Sequence, residues 1–108
     1  MVTKTIFKKI EKNALDYIYY LKKQGLSIKK AIIYGSYAKG NIHQYSDIDL
    51  CIISTKFKKI DALNYLWTKK RGKDIKAMIS PIGFHPKDFI NENPLVWEIK
   101  KTGIEIKV

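Results

Sequence analysis

Residues 35–50 hold the part of this sequence that can do chemistry. Gly35-Ser36 ends an apolar run, ten residues follow, and Asp47-Ile48-Asp49 opens a second apolar run through Leu50, Cys51, Ile52 and Ile53. Side chains at i and i+2 of a strand project to one face, so the spacing sets both carboxylates together, a few ångströms apart. Two like charges that close destabilise each other unless one takes up a proton or a cation sits between them. Two hard oxygen donors suit Mg²⁺, which binds through few protein oxygens and keeps waters and substrate phosphates. Gly35 lets a phosphate approach the backbone closely, amides of a following helical turn can donate to it, and the Ser36 hydroxyl adds a donor. The chemistry this set fits is metal-dependent nucleotidyl transfer by in-line displacement, with two metals serving the attacking and leaving oxygens. An ordinary Gly-Ser turn with aspartates capping a strand edge is the competing reading.

The elements that must position these residues follow from hydrophobic periodicity. Ile6, Ile10, Ala14, Tyr17, Ile18 and Leu21 recur at three- and four-residue spacing and predict an amphipathic helix over 4–24, stopped by Gly25. Residues 28–34 read as a strand, 37–40 as a single helical turn before a polar loop, and 47–54 as the second strand. A basic connector, Lys56 to Lys59, leads to a predicted helix over 61–70, and Arg71-Gly72-Lys73 reads as a turn. A third strand is expected over 75–80, then a loop punctuated by Pro81, Gly83 and Pro86, with a short helix from Pro86 to Ile90. A helix over 95–101 stopped by Gly103 and an alternating edge strand over 104–108 close the chain. The expected architecture is α/β: one domain over 1–108, a small mixed sheet of three to four strands, helices mainly on one face.

At 108 residues the chain supports one core. No apolar run approaches the roughly 20 residues a membrane span needs, and the N-terminal stretch lacks the apolar segment of a secretion signal. The single cysteine, Cys51, excludes an intramolecular disulfide and fits a reducing cytoplasm, as a buried, inert thiol of the core strand. The net charge of +11 invites a polyanion-binding reading, yet of 21 basic residues only Arg71 is an arginine. Specific phosphate and base contacts favour arginine's bidentate fork, so specific nucleic-acid binding is not expected.

Strand, Gly-Ser, ten residues and Asp-x-Asp on the next strand resemble the DNA-polymerase-β-like nucleotidyltransferases, and within them the minimal, single-domain nucleotidyltransferases. The tail around Ser80-Pro81-Ile82-Gly83-Phe84-His85-Pro86 and Asn93-Pro94-Leu95 is similar to that family as well. The resemblance implies the nucleotidyltransferase fold, with Gly35 and Ser36 holding the nucleotide's phosphates, Asp47 and Asp49 coordinating Mg²⁺, and Lys39, where the family often has arginine, neutralising triphosphate charge. It implies transfer of a nucleoside monophosphate from an NTP, most often ATP, to an acceptor with release of pyrophosphate. It also implies a protein partner, a helical HEPN-type protein in an antitoxin–toxin pair, or a homodimer.

The family's third acid falls here on Lys76, and positions often filled by arginine and glutamate are Met78 and Ser80. Two arrangements stay open: Asp74 reaches the metals through a shifted register, or the Lys76 ammonium bridges Asp47 and Asp49 and leaves an inactive module that docks on a helical partner. His43 and His85 read as a loop residue and a structural hydrogen-bonder, Tyr37 as a cover for the nucleotide, and Trp67 and Trp97 as core or partner-interface residues.

Overall fold

The computed structural model describes residues 4–39 and 47–108. Its helices are α1 (Lys4–Lys23), α2 (Ser36–Lys39), α3 (Ala62–Thr68), α4 (Gly72–Lys76) and α5 (Pro94–Thr102), and its strands β1 (Lys30–Tyr34), β2 (Ile48–Ile53), β3 (Ile79–Phe84) and β4 (Ile104–Ile106). They form one mixed sheet ordered β3-β2-β1-β4. Strand β1 runs antiparallel to both β2 and β4, while β2 and β3 are parallel, joined by a crossover that carries α3 and α4.

Helix α1 forms because its apolar residues share one stripe. Ile10, Ala14, Tyr17, Ile18 and Leu21 are all buried against Ala31, Ile33, Leu50, Ile52 and Ile79 from one sheet face. The Tyr17 hydroxyl, unable to reach water there, donates to the Leu66 carbonyl at 2.7 Å and ties α1 to α3. Gly25 stops the helix with φ +96°, and the Leu26 amide reaches back to the Leu21 carbonyl at 3.1 Å while the Gly25 amide reaches Lys22 at 3.0 Å. That is a Schellman closure, which needs a residue at ease with positive φ. The opposite sheet face is covered more thinly, with Ile32, Cys51 and Ile53 packed under Ile99 of α5 and beside Phe84 and Phe89. Helices therefore lie mainly on one face, as the periodicity implies. Among the described residues, no helix is long and apolar enough to cross a membrane.

Several expected boundaries are corrected. The third strand begins at Ile79, not at residue 75, because 72–76 form α4 instead. Arg71 and Asp74 hold that short helix: the Asp74 carboxylate accepts the Arg71 backbone amide at 2.8 Å and receives the guanidinium through Nε at 2.9 Å and Nη2 at 3.0 Å. The same Nη2 reaches Asp16 of α1 at 2.8 Å, and the guanidinium stacks 4.5 Å from the Tyr20 ring centroid. Hydrogen bonding from Arg71 keeps the Asp16 carboxyl below its ordinary range.

Pro81 and Gly83 belong to β3 and not to a loop. β3 is an edge strand, so a proline with no N–H to donate is tolerated there. The outward carbonyl of Pro81 is capped by the Trp67 indole N–H at 3.0 Å. The Phe57 ring lies against Gly83, reaching 2.5 Å from where a Cβ would stand. The expected helix over 86–90 is a single 3-10 turn, Pro86–Asp88, capped by His85 Nδ1, which accepts the Lys87 amide at 3.0 Å. Lys56 to Lys59 similarly becomes a 3-10 turn, Thr55–Lys58, with Lys56 Nζ donating to the Gly25 carbonyl at 2.7 Å.

Candidate active site

At the end of β1 the chain turns through Gly35 at φ +74°, and Ser36 opens α2. The first amides of a helix have no intrahelical acceptor, and this is where a helix can offer donors to an anion. Asp47 stands just before β2 and is exposed, and Asp49 is its second residue and half-buried. The register sets Tyr34 directly opposite Asp49 on one side and Ser80 opposite it on the other. A Cβ added to Gly35 would collide with the Asp49 carboxylate, lying 3.1 Å from its Cγ. The turn backbone therefore passes straight over the carboxylate, and the two halves of the motif meet in space.

That close approach carries a prediction. Gly35→Ala meets both a steric clash and a positive φ that alanine resists, costing about 1 kcal/mol or more in backbone strain alone. Nucleotide affinity, read by titration calorimetry, is expected to fall more steeply than melting temperature, because the displaced atoms are those of Asp49 and the turn.

The pair of aspartates is electrostatically uncomfortable. Burial first, and the charge of Asp47 second, push the Asp49 carboxyl above its ordinary range. A carboxyl raised in the folded state binds more protons folded than unfolded, so stability falls as pH rises from its ordinary carboxylate range through its folded range. Asp49→Asn removes that penalty and is expected to raise the melting temperature of the metal-free protein at neutral pH by a few degrees, measured by calorimetry without divalent ions. A bound divalent cation relieves the same repulsion, and two hard carboxylates with adjoining phosphate donors fit Mg²⁺.

The other expected site residues divide sharply. The Asp74 side chain is 2% exposed and both its oxygens are engaged by Arg71. Lys76 ends α4, is exposed, and makes no ion pair within the described residues, so it does not bridge the two aspartates. The side chain of Lys39 and the whole of His43 lie outside the described residues. Tyr37 packs against the α1 side of the core. Among the described residues no group of three or more acids, histidines or cysteines gathers to hold a metal.

Two neighbours of the site escape a reading of motifs. Tyr34 faces Asp49, and burial together with the Asp49 charge keeps its hydroxyl protonated. Its position immediately before Gly35 is the only signal the sequence offers. Lys70, after α3, lies in the field of Asp47 and Asp74, which opposes the burial that pulls its ammonium below the usual lysine range. Cys51, fully buried on the same strand, has its thiol pushed up to about 12 by burial and stays inert.

The nucleotidyltransferase domain family matches residues 6–108. Among solved structures the chain is similar to a crystal structure from Sulfolobus solfataricus named provisionally as a nucleotidyltransferase, with a TM-score of 0.63 and 17% identity over 90% of this chain and 78% of that one. An identity so low speaks to shared fold alone. No curated protein matches the sequence.

Proposed function

The chain belongs to the nucleotidyltransferase domain family, and from that premise we propose that it moves a nucleoside monophosphate from an NTP, ATP foremost, to a hydroxyl on a protein or small molecule. The observation that carries this reading is the Gly35 backbone lying over the Asp49 carboxylate, next to Asp47. Asp47 and Asp49 would hold Mg²⁺, which supplies charge neutralisation at the transferring phosphoryl group and a lowered pKa for the attacking oxygen. The Ser36 hydroxyl and the first amides of α2 donate to the phosphate oxygens and fix the α-phosphorus in line with the acceptor. Tyr34, held neutral beside Asp49, is placed to donate a hydrogen bond toward the site without adding charge.

With Asp74 turned to Arg71, Asp47 and Asp49 are the two carboxylates that would hold the metal, which would supply charge neutralisation there. The same fact favours a second reading, an inactive nucleotidyltransferase-like module that docks on a helical partner. In either reading the protein works in the cytoplasm beside a HEPN-type partner, as the antitoxin half of a pair, and in the catalytic reading the acceptor hydroxyl belongs to that partner or to a small molecule. Incubation of the protein with Mg²⁺, ATP labelled at the α-phosphate and a cell extract separates the two. Label moving to a protein band with wild type but not with Asp47→Ala supports transfer, and label that stays in ATP under both favours the module.

A further inference from the structure

The outer side of α3 keeps large apolar groups in water. Ile60, Leu63 and Trp67 follow at three- and four-residue spacing and are 38%, 54% and 46% exposed, while Leu66 between them is fully buried. Asp61, Leu63, Asn64 and Trp67 line a shallow, open depression on this side. Trp67 is fixed in place by its hydrogen bond to Pro81 at 3.0 Å and by the Lys70 ammonium, 4.0 Å from its ring centroid. An immobilised tryptophan with half its surface in water is the kind of anchor that carries interface energy.

Charge says what fits it. Lys58 and Lys59 precede the stripe, Lys69 and Lys70 follow it, and the one acid in the stretch, Asp61, is turned onto the Asn64 amide at 3.2 Å as a helix cap. An apolar seam with cations at both ends complements a helix with apolar residues at three- and four-residue spacing and acids on its flanks. A second copy fits poorly. Every copy carries +11, and a two-fold contact through this face would set lysines against lysines.

We propose that the Leu63 and Trp67 face of α3, together with Ile60 just before the helix, is the docking surface for an acidic amphipathic helix of a partner protein. The assignment rests on the partner half of the reading above and not on nucleotide binding.

The test is fluorescence anisotropy with a labelled helical peptide carrying leucines at three- and four-residue spacing between rows of glutamate. Its comparators are the same peptide with lysines for the glutamates, and an acidic peptide whose leucines are moved off the seam. Saturable, salt-weakened binding of the acidic amphipathic peptide is expected, with none for the lysine version and affinity lowered at least about tenfold by Leu63→Asp. Leu63→Asp should keep the wild-type melting temperature and wild-type MgATP binding, so that lost peptide affinity reports the surface itself. No binding of the acidic peptide, equal binding of the off-seam peptide, or unchanged affinity in Leu63→Asp overturns the proposal. So does a dimer of this chain that Leu63→Asp dissociates, or binding confined to anionic vesicles. Peptide binding by a protein that fails to bind MgATP sinks the enzyme reading and leaves the docking surface standing.

Discussion

Asp49→Ala is expected to lower Mg²⁺-dependent nucleotidyl transfer at least a hundredfold while leaving the fold intact. Groups one step removed from a metal commonly cost about 10–100-fold when lost, and a direct ligand costs no less. The aspartate also lies under the Gly35 turn, so under the proposed function the substitution would remove a metal ligand and the floor beneath the turn that would take the phosphates. Stability moves the other way. Asp49 is held above its ordinary range by burial and by Asp47, so its removal relieves the metal-free fold. A variant that melts at or above the wild-type temperature and no longer transfers is the signature of a group kept for function at a cost to stability. Transfer rates with labelled ATP, beside a thermal melt, check both halves.

Arg71→Ala is expected to be the most damaging single substitution for the fold, costing about 3–5 kcal/mol. The reason is Asp74. Its side chain is 2% exposed, and removing the guanidinium strands a buried carboxylate whose other partner is a backbone amide. Against a total stability of about 5–15 kcal/mol for a domain of this kind, that loss brings the variant near unfolding. The Asp16 arm adds little, since that carboxylate is half exposed and solvent screens it. Arg71→Met with Asp74→Leu, which removes both charges, should recover much of the loss. Urea melts of the two variants measure the difference, and equal destabilisation by both would refute the stranded charge as its cause.

What the sequence made legible was whatever depends on local pattern. The α1 stripe, its stop at Gly25 and the β2 strand that carries Asp49 all follow from periodicity of 3.6 or 2 and from residue type. What it hid depends on tertiary partners. Helix α4 is only five residues long and starts with a glycine, so propensity argues against it. It forms because Arg71 reaches α1 and Asp74 at once, a contact between residues 55 apart. The i, i+3 spacing of Arg71 and Asp74 was the available clue, and the expectation of a strand there masked it. Pro81 and Gly83 read as breakers because their tolerance in β3 follows from its place at the sheet edge, which is known only once the strand order is. The site divides the same way. Gly35, Ser36, Asp47 and Asp49 are visible as a motif, while Tyr34 and Lys70 reach the site through register and crossover.

Titration calorimetry with MgATP, on wild type and Asp49→Ala side by side, tests the central claim most directly. Wild type is expected to bind saturably, EDTA to abolish that binding and Asp49→Ala to lose it. Binding that persists unchanged in Asp49→Ala, or no Mg²⁺-dependent binding by wild type at all, would contradict that claim.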